Sequence, residues 1–180
     1  MIAGLRWLGE PPRGVHLALG PRSAEAGSLR GLIEEAGLDP EALETGRDDL
    51  GRLQLSRAGQ PLAASRSRAG GWCLQALALE GRLGVDLVAP GLPEALICDA
   101  LPPSEQSLVW QEGLHHAPSA WAAREALLKA LGLTLAWGPD LRLGWADGTW
   151  VPGTFQGRPM EGWELALGRV GELWVAVARG

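Results

Sequence analysis

The chain has 180 residues, 46% hydrophobic and 21% charged, with a net charge of −5; this suits one domain or two small packed halves and excludes a mainly disordered chain. The acidic balance argues against nucleic-acid binding through bulk charge, and Glu, Asp, Gly or Pro interrupt every apolar run well before the ~18 residues of a membrane-spanning helix. Cys73 and Cys98 make no disulfide framework, and the N-terminal Met-Ile-Ala-Gly-Leu-Arg-Trp lacks a basic region followed by an apolar one, so a cytoplasmic location is expected.

Residues 15–19 alternate and predict a short strand. Ser23, Glu25, Leu29, Leu32 and Ile33 fall at helical spacing over 23–36, and Gly37 stops the run. Asp39-Pro40 predicts a second, short helix closed by Gly46. Arg52 to Arg57 alternate as a half-exposed strand, and the Gly, Pro and Ser content of 58–71 predicts a loop. Residues 72–79 are apolar, and Glu80-Gly81 predicts a turn that makes an antiparallel hairpin with 82–88. Short helices are expected over 92–98 and 103–112. Ser119 is the expected cap of a long helix that runs to Leu131 and stops at Gly132. Leu141 to Trp145 and Trp150-Val151 flank an Asp147-Gly148 turn, and 163–167 and 172–178 flank a turn at Val170-Gly171; all read as antiparallel strands. Strand, helices and strands thus occur twice. The pattern predicts an α+β fold of two similar lobes, each a small antiparallel sheet with packed helices, with an N-terminal lobe over 1–80 and a C-terminal lobe over 81–180.

Fifteen of the 16 basic residues are Arg, and Lys129 is the single lysine. A guanidinium cannot do all that a compact ammonium does, so Lys129 stands out, although one lysine could also survive by accident. It lies four residues after Glu125, which shares a stripe with Trp121, Leu128 and Gly132 and so faces inward. The spacing alone equally fits an ordinary Glu-to-Lys helix pair, worth ~0.2–0.5 kcal/mol. Asp86 stands among apolar neighbours in Leu83 to Val88, where an ionised carboxylate is costly unless paired, metal-bound or capping a loop. Residues 50–79 hold no Asp or Glu but carry Arg52, Arg57, Arg66 and Arg68. The run Ser65-Arg66-Ser67-Arg68-Ala69-Gly70-Gly71 offers amides, hydroxyls and guanidinium forks that suit phosphate, and fits a solvated loop equally well. His115 and His116 are adjacent, so they do not share a helix face as a metal pair would, and the cysteines read as small core residues.

The strand Leu83-Gly84-Val85-Asp86-Leu87-Val88 followed by Trp121-Ala-Ala-Arg124-Glu125-Ala126-Leu-Leu-Lys129-Ala130-Leu131-Gly132 resembles the 4′-phosphopantetheinyl transferase superfamily, with its G-[VI]-D strand and W-x-x-K-E-A-x-x-K-x-x-G helix. Gly59-Gln60-Pro61 and Ser65-Arg66 sit where larger members place a G-K-P turn and a Ser-His pair, so the resemblance spans roughly residues 50–135. Members transfer 4′-phosphopantetheine from coenzyme A to a serine of an apo carrier protein, using Mg²⁺ and releasing adenosine 3′,5′-bisphosphate. The resemblance implies that Asp86 and Glu125 hold Mg²⁺ and that Lys129 contacts the pyrophosphate. It further implies that Glu125 takes the serine proton and that Ser65 and Arg66 bind the coenzyme. Val88 stands where two-lobed members often carry Glu, Arg66 where they carry His, and Arg124 where they carry the first Lys of the helix motif. The expected form is a two-lobed monomer acting on an acyl or peptidyl carrier protein, and the alternative is a non-catalytic relative that binds coenzyme A or a carrier protein.

Overall fold

The computed structural model describes residues 2, 4–10 and 12–180; Met1 and Ala3 of the N-terminal segment, and Pro11, lie outside the described residues. The chain is α+β, with antiparallel sheets and a few helices. Its first part holds β1 (Leu5–Trp7), β2 (Val15–Pro21), α1 (Glu25–Glu35), β3 (Leu43–Arg47), β4 (Leu53–Arg57), β5 (Gln60–Ala69) and β6 (Trp72–Ala78). Then come β7 (Leu83–Val88), α2 (Glu94–Asp99), α3 (Pro103–Glu112) and α4 (Ala117–Ala130). The last part is all strand: β8 (Leu141–Ala146), β9 (Thr149–Phe155), β10 (Arg158–Pro159), β11 (Glu164–Val170) and β12 (Leu173–Arg179).

A five-stranded sheet runs β2-β6-β5-β4-β3, a four-stranded sheet β1-β11-β12-β7, and a three-stranded sheet β10-β9-β8. The two larger sheets pack face to face. Alternation along β6 puts Leu74, Ala76 and Ala78 on one face, against Leu83, Val85 and Leu87 of β7 and Leu173, Val175 and Val177 of β12. The other face of the five-stranded sheet, with Leu53, Leu55 and Leu77, is covered by Leu32 and Ile33 of α1. The other face of the four-stranded sheet, with Leu167, Ala176 and Ala178, packs in one core with Ala123, Ala126 and Leu127 of α4. Each fully buried Leu or Val in these layers contributes about 1.5–3 kcal/mol.

Both covering helices stop as expected. In α1 the amides of Gly37 and Leu38 return to the carbonyls of Glu34 and Ile33; in α4 those of Gly132 and Leu133 return to Lys129 and Leu128. Each needs a left-handed residue after the cap, supplied by Gly37 (φ +74) and Gly132 (φ +77).

Several local expectations are corrected. Asp39-Pro40 opens only a single 3-10 turn, Pro40–Ala42, and the chain continues directly into β3, which pairs with β4. The expected loop over 58–71 is mostly β5, a ten-residue strand between β6 and β4. The expected hairpin of 72–79 with 82–88 does not form, because β6 already has β2 and β5 on its two edges. β7 joins β12 in the other sheet instead, fastened where Arg82 and Gly180 exchange backbone hydrogen bonds. Ser119 is not the cap of α4. It lies inside the first turn, where its hydroxyl donates to His116 O (2.8 Å) and accepts from Trp150 Nε1 (3.2 Å). Val170 is the last residue of β11, so that turn begins one residue later.

Candidate functional site

The cleft begins with a glycine. Gly84, Asp86 and Val88 alternate onto the face of β7 opposite to the Leu83, Val85 and Leu87 core, the face that α4 covers. A Cβ at Gly84 would run into the backbone of Ala126 and Ala130. Only glycine lets the helix lie this close, and the close approach brings Lys129 down onto Asp86, two residues along the same face. Lys129 Nζ donates to Asp86 Oδ1 at 2.6 Å and to Val85 O at 3.2 Å. Asp86 is 6% exposed, and its Oδ1 also accepts from Ser67 Oγ at 2.7 Å.

Glu125 lies one helical turn before Lys129. Its Oε1 is buried and has no hydrogen-bond partner. Burial pushes its carboxyl above the usual range and Asp86 pushes it further, while Lys129 and Arg124 oppose the shift. Two acidic groups therefore line one cleft with one ammonium bound to Asp86, and one oxygen of Glu125 is left without a donor.

The cavity is a cleft of about 810 Å³, lined by Asp86, Glu125, Lys129 and Trp121 on one side and by Arg52, Arg66, Ser67 and Arg68 on another. Four of the five residues expected at the site thus meet here. Ser65 does not line the cleft. It is buried in β5, and its hydroxyl accepts from Val85 N at 3.0 Å. Ser67, two residues on, accepts in the same way from Leu87 N at 3.2 Å. The outer edge of β7 thus finds acceptors in two serine hydroxyls of the neighbouring sheet. Ser67 also holds Asp86, a part that the sequence reading did not give it.

Arg66 and Arg68 both bind Glu25, at the start of α1. Arg68 Nε donates to Glu25 Oε2 at 2.7 Å, and Arg66 Nη1 pairs with Oε1. The Arg68 hydrogen bond leads the causes that hold the Glu25 carboxyl below its usual range. Burial lowers the Arg66 pKa, against the pull of Glu25. The arginine pair does accept an anion, and the anion it holds is the protein's own. A glutamate on the first turn of a helix gave no sequence signal for that role.

Arg124, next to Glu125, turns the other way. Its Nη1 donates to both oxygens of Glu105 (2.6 and 2.8 Å) and to Leu141 O (3.2 Å), and its Nη2 to Gly138 O. Glu105 is 0% exposed and also accepts from Leu143 N at 2.9 Å. This joint ties α3, α4 and β8 together and lies outside the cleft. His115 and His116 end a 3-10 turn before α4, where His116 packs edge-on against Trp145.

Asp86 and Glu125 suit a hard divalent cation. Mg²⁺ is commonly held by one or two carboxylates, with waters and substrate phosphates completing the shell, and the unpaired Oε1 of Glu125 is a free donor for it. Among the described residues no group of three or more His, Cys, Asp or Glu gathers as a metal cage, so further ligands would come from water or substrate. No helix of the described chain is long and apolar enough to cross a membrane. No protein-family model matches the chain, and no curated protein matches it.

Proposed function

We propose that the chain is a phosphopantetheinyl transferase: it moves 4′-phosphopantetheine from coenzyme A to a serine of an apo acyl or peptidyl carrier protein. The observation that carries this reading is that one cleft is lined by Asp86, held by the single lysine, and by Glu125 with a buried, unpaired oxygen. The layering, with one helix on the outer face of each of two packed sheets, supports the two-lobed form, and the cleft lies where both sheets contribute. We read the boundary near residue 80, in the Glu80-Gly81 connection between the sheets. A cytoplasmic monomer fits this reading.

Asp86 and Glu125 would hold Mg²⁺, which when bound supplies positive charge against the pyrophosphate of the donor. The serine oxygen forms its bond to the phosphorus next to the pantetheine arm as the bond from that phosphorus to the bridging oxygen breaks. Adenosine 3′,5′-bisphosphate leaves with the bond's electrons. Glu125, whose carboxyl is pushed above the usual range by burial and by Asp86, is suited to take the serine proton. Lys129, held at Asp86 by a 2.6 Å contact, can turn to the leaving phosphate as charge collects there. Arg66 and Arg68 would grip the coenzyme's phosphate in place of, or beside, Glu25.

The occupied arginines favour the second reading, a relative that binds coenzyme A or a carrier protein without catalysis. One experiment separates the two. The protein is incubated with coenzyme A, Mg²⁺ and an apo carrier protein, and the intact mass of the carrier is read with and without a chelator. Transfer predicts a phosphopantetheine-sized gain on the carrier that the chelator abolishes. Coenzyme binding with no gain in mass would sink the transferase reading.

A further inference from the structure

The two oxygens of Asp86 are used unequally. Oδ1 takes two hydrogen bonds, from Lys129 Nζ at 2.6 Å and from Ser67 Oγ at 2.7 Å. Oδ2 takes none among the described residues, and Asp86 lines the cleft. The lysine comes from α4, which packs on β7, but the serine comes from further away. Ser67 lies on β5 of the five-stranded sheet, whereas Asp86 lies on β7 of the four-stranded one. Their contact crosses from one sheet to the other.

The Ser67 hydroxyl is a donor of fixed direction. It has one proton and two lone pairs. Leu87 N donates to its oxygen at 3.2 Å, so that side accepts and the proton is left for Asp86. Ser65 makes a matched comparison. It stands two residues earlier on the same face of β5, is 7% exposed like Ser67, and accepts from Val85 N at 3.0 Å. Its hydroxyl touches no carboxylate among the described residues. Holding the edge of β7 accounts for both serines as acceptors. It does not account for the bond that Ser67 alone gives to Asp86.

We propose that Ser67 is a positioning residue: with Lys129 it occupies Oδ1 of Asp86 and so presents Oδ2 to the cleft as the oxygen offered to a divalent cation. The proposal rests on the reading of Asp86 and Glu125 as a metal pair. Carboxylate ligands are held by hydrogen bonds from residues behind them, and losing such a partner typically costs about 10–100-fold in metal affinity. The five-stranded sheet supplies neither carboxylate of the pair, yet through Ser67 it aims one of them.

The test is titration with Mn²⁺, the free ion being read by electron paramagnetic resonance. Mn²⁺ takes the same oxygen ligands as Mg²⁺. The proteins are wild type, Ser67→Ala, Ser67→Thr, Ser65→Ala and Asp86→Asn, the last giving the binding due to other carboxylates of this acidic chain. Above that background, Ser67→Ala should bind about tenfold or more weakly than wild type. Ser65→Ala loses the same kind of amide contact and should keep wild-type affinity, with a urea midpoint close to that of Ser67→Ala. Ser67→Thr keeps the hydroxyl and should bind as wild type does. Should Ser67→Ala fail to fold, Ser67→Cys, a poorer donor of similar size, carries the same test. Wild-type affinity in the Ser67 variant, or equal losses in Ser67→Ala and Ser65→Ala, overturns the proposal and leaves the metal pair standing. Binding by wild type no tighter than by Asp86→Asn overturns the metal pair, and the proposal with it.

Discussion

Glu105, fully buried, and Glu125, half-buried with one buried oxygen, are served by neighbouring parts of one helix, and they have opposite surroundings. Glu105 receives both its oxygens' hydrogen bonds from Arg124 and a third from Leu143 N. Glu125 faces the cleft with one oxygen unpaired and Asp86 nearby. Burial raises the pKa of both; at Glu105 the guanidinium and an amide oppose it, whereas at Glu125 a second carboxylate adds to it. A buried charge with a full set of donors serves as a joint, and one left incomplete invites a cation or a proton. Arg124 and Glu125 are adjacent in sequence, yet helical geometry sends one into the joint and the other into the site.

The strongest way to break this contrast is to remove the joint. Arg124→Ala leaves Glu105 buried without its guanidinium and with only the Leu143 amide as donor, and should lower unfolding stability in urea by about 3–5 kcal/mol. Replacing both partners together, as Glu105→Leu with Arg124→Met, should recover most of that loss. If Arg124→Ala unfolds like wild type, the joint carries no stability.

At the incomplete acid the effect moves from stability to activity. Asp86→Asn and Glu125→Gln should each cut transfer by roughly 100-fold or more, while the melting temperature of Glu125→Gln stays level or rises. Wild-type transfer by either variant would remove that carboxylate from the chemistry.

A smaller effect sharpens the role of the lysine. Lys129→Arg keeps the charge but brings a larger, planar group onto Asp86, and should slow turnover by about tenfold or more. Full activity with arginine would reduce Lys129 to an ordinary partner of Asp86 and Glu125.

The smallest effect is the pH dependence of stability. Burial and the neighbouring Asp86 raise the Glu125 pKa above its ordinary value in the folded state. The native protein then holds a proton that the unfolded chain has lost, so this group's contribution is full below about 4.5 and declines as pH rises through the folded value. Glu25, lowered in the folded state, acts in the opposite sense, and its contribution fades as pH falls. Stability curves of wild type and Glu125→Gln should therefore diverge with rising pH, the variant becoming relatively more stable. Parallel curves would show that Glu125 ionises as freely in the fold as outside it.

Much of the cleft was legible in the sequence because local geometry controls it. The four-residue step from Glu125 to Lys129 fixes their shared face, and the Gly84-to-Asp86 step fixes the face of β7 that α4 meets. Three partners came from far along the chain and left no local trace: Glu25 on Arg66 and Arg68, Glu105 on Arg124, and Ser67 on Asp86. The run of Ser and Arg in β5 has loop-like composition. It holds as a strand because β6 and β4 pair its edges and because Ser65 and Ser67 accept the free amides of β7. The expected hairpin that does not form has the same origin, since whether β6 has an open edge depends on β2, more than fifty residues earlier.

The central claim is that an incompletely paired acid marks the working site. Its most direct test is the intact mass of an apo carrier protein after incubation with coenzyme A and Mg²⁺, using wild type and Glu125→Gln at matched melting temperature. The account predicts that wild type adds phosphopantetheine to the carrier and that the folded variant adds almost none. Equal modification by both proteins, or none by wild type, would contradict it.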